Sequence, residues 1–487
     1  MSSFRSLYTW KNLLTFLTVL ALCAGTVVRS DARDETDTPN ILFIPVDDLN
    51  DWIGCMDGHP QALTPNIDRL ASRGVLFTNA HSQSPVCNPS RASFMSGLYP
   101  ETTGVYFLNP PLAESEIGAK SEVMPVRFER EGYAVAAAGK IFHDFEETDR
   151  YFSNYIGGFE WFGPFPDEKI SSFPGHPLWD WGAYPERDDQ MPDYKIASWA
   201  EEQLALEREQ PFFLALGLLT PHVPQFAPQK WLDMYPIEEV RLPAVLENDL
   251  DDISEYAKNL TSLHHVAPTH EWVVEHDQWK PLVQTYLACT TFTDHQIGRV
   301  LDALDAGGQA DNTIVVLFSD HGFHLGQKEH WAKRTIWWNG AGVPLIMAGP
   351  GIVQGAVCDK PVELIDLYPT LLDLAGLEAD PMHEGQSLRP LLEDPETEWP
   401  HLARSSFGPG NVALISEDYR YIHYNDGSEE LYDRKNDPHE WHNIAADSAM
   451  ESVLEEFRAQ MPAYYHPILG QGSTGHRAYE AAEQRKE

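Results

Sequence analysis

The chain has 487 residues and carries 74 acidic against 34 basic side chains, a formal net charge of −40. That charge repels nucleic-acid phosphates and anionic membrane surfaces and argues against both as partners. The length allows about three domains, or one large α/β domain with an appendage, and either leaves ample chain for a sizeable core.

In the leading segment Arg5 and Lys11 precede an apolar run from Leu13 to about Ala24, after which comes the polar stretch "RSDARDETDTPN". This reads as a cleaved secretory signal with its linker over residues 1–32, and it predicts a secreted or periplasmic protein. A membrane span needs about 20 apolar residues, so this shorter run is no anchor, and no membrane insertion is expected. Leu22 is too large for the residue that precedes a lipoprotein cysteine, which sets Cys23 aside. Beyond the leader stand Cys55, Cys87, Cys289 and Cys358, at spacings that match neither a zinc site nor a disulfide-dense scaffold.

The mature chain is organised by short apolar runs separated by helical patterns. That pattern predicts an α/β fold with a large mixed, mostly parallel sheet sandwiched by helices. "NILFIPV" (40–46) ends at Asp47 and Asp48. "SPVCNPSRASFMSGLYP" (84–100) places Cys87 before a helix that starts near Pro89 and stops at Gly97. "YAVAAAG" (133–139) ends at Lys140, with His143 close behind. Residues 144–195 are rich in aromatic residues, Pro and Gly with little periodicity, which suits a packed insertion loop or a set of aromatic platforms for sugar rings, with the packed loop slightly favoured. "PFFLALGLLTPH" (211–222) ends at His222. A long helical pattern from Trp279 to Leu304 closes at Gly307 and Gly308, and "NTIVVLFSDHG" (312–322) then ends at Asp320 and His321.

The fold is expected to change near the polar "LEDPETEWPHLAR" (392–404), dividing a catalytic domain over 38–395 from a small subdomain over 396–487. There "NVALISEDYRYIHY" and "EELYDR" read as strands and "SAMESVLEEFRAQM" as a helix, giving a small C-terminal antiparallel sheet plus helix.

Runs that end repeatedly in ionisable side chains point to one crevice at the carboxyl ends of parallel strands. Asp47, Asp48 and Asp320 cannot stay ionised side by side without a cation, and hard oxygen ligands select calcium or magnesium over zinc. Arg91, Lys140 and Lys333 suit a substrate with several anionic oxygens, and His143 and His222 can move protons. Such a site wants a phosphate or sulfate ester. At Cys87 a thiolate facing a helix N-terminus is a candidate nucleophile, while a small buried Cys near a helix start is equally ordinary core.

"CNPSR" followed by "ASFMSGLYP" resembles the signature CxPSRxxxxTG of the type I sulfatases, in the alkaline phosphatase superfamily, with Ser96 where threonine is common. "TPNIDRLASRGVLFTNAH", "GKIFH", "SDHGFHLGQKEHWAKRT", "DLYPTLLDLAG" and "ELYDRKNDPHEWHNIA" extend the resemblance along nearly the whole mature chain. It implies that Cys87 is converted by a formylglycine-generating enzyme to Cα-formylglycine, whose hydrated aldehyde is the nucleophile. Pro89 and Arg91 belong to the recognition sequence for that conversion. Ca2+ would be held by Asp47, Asp48, Asp320, His321 and an oxygen of modified Cys87. Asp320 would be the base for attack, His222 the acid for the leaving alcohol with help from Lys333 and Lys140, and His143 the base that releases sulfate.

Asp320-His321, the three-residue step from Lys140 to His143, "FIPVDDLN" and "TPHVPQF" are similar to the iduronate-2-sulfatase branch, and "TIWWNGAGVPLI" departs in lacking the acidic residue that relatives usually carry near Asn339, which bears on the wall of the substrate pocket and not on the chemistry. The expected function is exo-acting removal of 2-O-sulfate from uronate-containing sulfated carbohydrate. Another sulfated sugar, choline sulfate, or a phosphate or phosphonate ester are the alternatives. The uronate carboxylate calls for a further cation, for which Arg334, Arg420 and His423 are candidates.

Overall fold

A computed structural model describes residues 38–262 and 266–485. The leader expected over residues 1–32 lies outside the described residues. The described residues from Pro39 onward form one compact unit.

The main sheet contains β1 (Asn40–Val46), β2 (Gly74–His81), β3 (Ala134–Gly139), β4 (Phe212–Gly217), β5 (Thr313–Ser319), β6 (Gly342–Ala348), β7 (Ala356–Cys358) and β8 (Val362–Glu363). Their order is β7-β2-β6-β5-β1-β4-β3, with β8 also on β2. Only β6 runs antiparallel to its neighbours.

The strands read as unbroken apolar runs because both faces are buried. Along β1, Ile41 and Phe43 enter one core while Leu42, Ile44 and Val46 enter the other, and β5 divides its side chains in the same way. Each such large side chain contributes about 1.5–3 kcal/mol on burial. The first face is covered by α1 (Cys87–Ser96) and α4 (Leu367–Leu374), through Phe94, Met95, Leu371 and Leu372. The second is covered by α2 (Pro192–Leu204) and α3 (Trp279–Ala306), through Ile196, Ala200, Val300 and Leu304. Among the described residues no helix is long and apolar enough to cross a membrane.

The C-terminal sheet is an antiparallel meander of β9 (Ala403–Ser406), β10 (Val412–Ile415), β11 (Tyr419–His423) and β12 (Glu429–Asp433). Leu454 and Phe457 of α5 (Glu451–Arg458) cover one face. Tyr479 and Ala482 of α6 (Thr474–Gln484), a helix not read from the sequence, pack on the other. Strand β9 begins inside the polar stretch where the fold was expected to change.

Candidate active site

The parallel strands stop together, so their following residues meet above one end of the sheet. Asp47 and Asp48 follow β1, Lys140 follows β3, His222 lies beyond β4, and Asp320 and His321 follow β5. Asp48 adopts a left-handed φ of 64°, which Asp tolerates better than most residues and which marks a position under local strain. Close backbone packing holds Lys140 in place. A methyl group at Gly217 would lie 2.0 Å from the Lys140 carbonyl oxygen, so a side chain there would push β3 and β4 apart.

Helix α1 enters the cluster by its N-terminus, with Cys87 as its first residue, and ends where Gly97 takes a φ of 73°. The Cys87 sulfur lies 3.2 Å from Lys333 Nζ, 3.3 Å from His321 Nε2 and 3.6 Å from Asp47 Oδ1. Lys333 Nζ also reaches Asp48 Oδ1 at 2.5 Å, and Lys140 Nζ pairs with Asp47. One helical turn past Cys87, Arg91 donates from Nε to Asp320 Oδ2 at 2.8 Å and from Nη1 to the carbonyls of Lys140 and Ile141. Three buried carboxylates therefore face three buried cations, as close like charges require.

The electrostatics follow from burial and these neighbours. Burial opposes ionisation of the Cys87 thiol, but Lys140, Lys333 and His321 outweigh it and hold the pKa well below the ordinary thiol range. The site thus favours negative charge at position 87. Burial, only partly offset by Arg91 and His321, pushes the Asp320 carboxyl up to about 6. Burial keeps His143 below the ordinary imidazole value, with Lys140 adding to the effect.

The histidines are oriented by their backbones. His222 Nδ1 sits 2.5 Å from the Val223 carbonyl and His321 Nδ1 3.1 Å from that of Gly322, so each donates there and leaves Nε2 toward the cluster. His222 Nε2 is 3.9 Å from Asp48 Oδ2, and the ring stacks on Phe162 at 4.3 Å.

These residues fit a hard divalent cation. Ligand atoms of Asp47, Cys87, Asp320 and His321 lie within 4.8 Å of one another, as do those of Asp47, Asp48, Cys87 and His222. Asp48 Oδ2 is buried with no hydrogen-bond partner among the described residues. The carboxylates of Asp47, Asp48 and Asp320 suit calcium or magnesium, while the Cys87 sulfur and the imidazole of His321 or His222 add softer donors.

A cavity of about 340 Å³ opens over Cys87, Asp48, His143, His222 and Lys333. The segment 144–195 plays both parts weighed for it. Phe173, Trp179 and Trp181 are packed in a core, and Trp161, Phe162 and Trp179 also line the cavity. Phe162 also lies under Lys140 Nζ, 5.3 Å from the ring centre. Sequence reasoning missed Asp193, which accepts from the backbone N–H groups of Leu219 and Thr220 at 2.8 and 2.9 Å and fixes the turn leading to His222.

Of the candidates for a further cation, Arg334 lines the cavity. Arg420 is fully buried, ion-paired with Glu440 and donating to the Ile336 carbonyl, so it is a structural clamp. His423 sits on β11, with Nδ1 3.1 Å from the Gly410 carbonyl, and is not part of the cavity wall. Asn339 faces a separate cavity beside Asp51 and Trp338, so the departure there does not touch the wall over Cys87. The cysteines among the described residues are free thiols.

A family model described as Sulfatase matches residues 39–377, and one described as N-sulphoglucosamine sulphohydrolase, C-terminal, matches residues 326–466. The chain is 40% identical over 461 residues to a sulfatase of Formosa agariphila, covering 92% of this chain and 90% of that protein. It is 31% identical over 417 residues to iduronate 2-sulfatase of Homo sapiens, covering 75% of this chain and 74% of that one. In fold it resembles the phosphonate monoester hydrolase of Agrobacterium radiobacter, with a TM-score of 0.70 at 22% identity over 87% of this chain and 94% of the other.

Proposed function

The chain belongs to the sulfatase family, and we propose that it is an exported, exo-acting 2-O-sulfatase of uronate-containing sulfated polysaccharide. One observation carries the reading: Cys87, three carboxylates and three cationic side chains cluster together, and Cys87, Asp48 and Lys333 of that cluster line a cavity of about 340 Å³. That volume is at the small end of ligand sites and suits one terminal sugar better than the middle of a chain. Similarity to iduronate 2-sulfatase supports a 2-sulfated uronate as that sugar. The chemistry is assigned to residues 38–395, with 396–487 as the supporting subdomain.

In this reading Cys87, oxidised during maturation by a formylglycine-generating enzyme, supplies a hydrated aldehyde as nucleophile. Asp47, Asp48, Asp320 and His321 would hold calcium, which when bound would supply Lewis acidity and charge neutralisation toward the sulfate. The other steps fall to side chains. Lys333, next to Asp48 and Cys87, and Lys140, next to Asp47, hold anionic oxygens of the sulfate group. Asp320 takes the nucleophile's proton. Arg91, clamped between Asp320 and the backbone after β3, positions that carboxylate. His222 gives a proton from Nε2 to the departing alcohol. His143, kept neutral by burial, accepts a proton as sulfate leaves.

His222→Ala should therefore slow a sugar sulfate, whose alkoxide leaves poorly, by about 10²–10⁴-fold. An activated aryl sulfate departs without a proton and should lose far less. Equal losses on the two would remove His222 from the acid role.

The substrate assignment is tested with a panel of disaccharides bearing a 2-sulfated uronate at the non-reducing end or internally, together with a neutral sulfated sugar, choline sulfate and phosphate monoesters. Sulfate release should be fastest from the terminal uronate. The aromatic walls Trp161, Phe162, Trp179 and Phe323 favour one second reading, choline sulfate held by cation–π contacts, and fastest turnover of that ester would replace the uronate assignment.

A further inference from the structure

Six Lys and Arg side chains are buried among the described residues: Arg91, Lys140, Lys328, Lys333, Arg334 and Arg420. Five have a carboxylate within ion-pair distance. Arg91 has Asp320, Lys140 has Asp47, Lys328 has Asp249, Lys333 has Asp48 and Arg420 has Glu440. Arg334 is the exception. It is 7% exposed, its Nη1 is fully buried without a hydrogen-bond partner, and no described carboxylate pairs with it. In a chain with 74 acidic residues, the missing partner does not reflect a shortage of carboxylates.

A guanidinium stays charged at neutral pH, and burying a charge without a counter-ion is costly. The backbone adds strain. Arg334 holds a left-handed φ of 77°, and its N–H is tied to the Pro85 carbonyl at 3.1 Å, two residues before Cys87. An unpaired charge and an unfavourable backbone conformation at one residue, beside the catalytic lysine and on the cavity wall, are what a ligand-binding position carries. Lys333 and Lys140 are ion-paired with Asp48 and Asp47, whereas the Arg334 guanidinium has no ion-pair partner among the described residues and is attracted only at longer range by Cys87 and Asp48.

We propose that Arg334 forms a second anion subsite in the catalytic cavity, selecting esters that carry another anionic group, a carboxylate or a further sulfate, and rejecting cationic ones. The proposal rests on the sulfatase reading of this cavity and names the class of substrate it takes. Substrate binding then supplies the counter-ion that folding withholds, so affinity and selectivity come from the same contact.

The test compares wild type with Arg334→Met and Arg334→Lys. The substrates are a 2-sulfated uronate disaccharide, its carboxyl-reduced counterpart, a disulfated and a monosulfated hexosamine, and choline sulfate. Arg334→Met should lower the kcat/KM preference for the anionic member of each pair by about 10–100-fold, mainly through KM, and Arg334→Lys should restore part of it. Loss of the unpaired charge should leave the melting temperature of the free protein unchanged or higher. A lower melting temperature with equal losses on charged and neutral members would make Arg334 structural and overturn the proposal. Wild-type preference for a neutral or cationic ester would overturn it as well. If the preference lies with the disulfated hexosamine and is lost in Arg334→Met, the subsite stands and the uronate reading falls.

Discussion

Asp320→Asn should lower turnover of an activated aryl sulfate by at least about 10³-fold per folded molecule. The substitution removes the proposed base and one of three carboxylates that would hold calcium. It also leaves Arg91 Nε facing an amide, with Asp47 3.6 Å from Nη2 as its remaining carboxylate. Breaking a buried pair costs about 3–5 kcal/mol, so the folded fraction must be measured by circular dichroism before rates are compared. Calcium offers a readout apart from activity. Metal bound only by the native state raises the melting temperature, and this rise should be large in wild type treated with chelator and then calcium, and small in the variant. Because burial lifts the Asp320 carboxyl to about 6, it carries a proton below that pH and must lose it to bind metal. Calcium stabilisation should accordingly weaken as pH falls through 6. A folded variant with near wild-type rate, or with an undiminished calcium response, would place the chemistry elsewhere.

Much of this site was legible because buried parallel strands print themselves as apolar runs. Asp47, Lys140 and Asp320 stand where such runs stop, and the sheet brings those ends together. Strand β6 was hidden by Pro344, a residue that normally argues against a central strand. Here it sits at a register shift between Val343 and Leu345, opposite β2. Strand β9 was not read as a strand: its start lies in the polar stretch 392–404, and Ser405 and Ser406 are polar although buried against neighbouring segments. Arg420 misled for a related reason. Its strand, "YRYIH", has no polar–apolar alternation to show that the guanidinium points inward to Glu440. The cavity wall was the least legible part, since Trp161, Phe162 and Trp179 come from an aperiodic segment whose placement depends on tertiary packing alone.

The peptide spanning Cys87, recovered from active protein, should carry an aldehyde in place of the thiol by mass spectrometry, and Cys87→Ala should lose at least about 10³-fold in turnover. The structure also constrains when that conversion can happen. Cys87 is 1% exposed and Arg91 is fully buried, and both are locked into α1 against Asp47 and Asp320. A modifying enzyme that reads Cys87, Pro89 and Arg91 cannot reach them in the folded chain, so conversion should precede folding. The unfolded chain, or a free peptide of residues 84–100, should be converted by a formylglycine-generating enzyme, while folded unmodified protein should resist it and stay inactive. The unmodified thiol would still be ionised by Lys140, Lys333 and His321, so an alternative nucleophile is present. A thiolate that accepted a sulfuryl group would have no second hydroxyl through which to expel it, and so should turn over once at most. Sustained turnover by protein whose Cys87 is an intact thiol would remove formylglycine, and a covalent thiolate intermediate with it, from the mechanism.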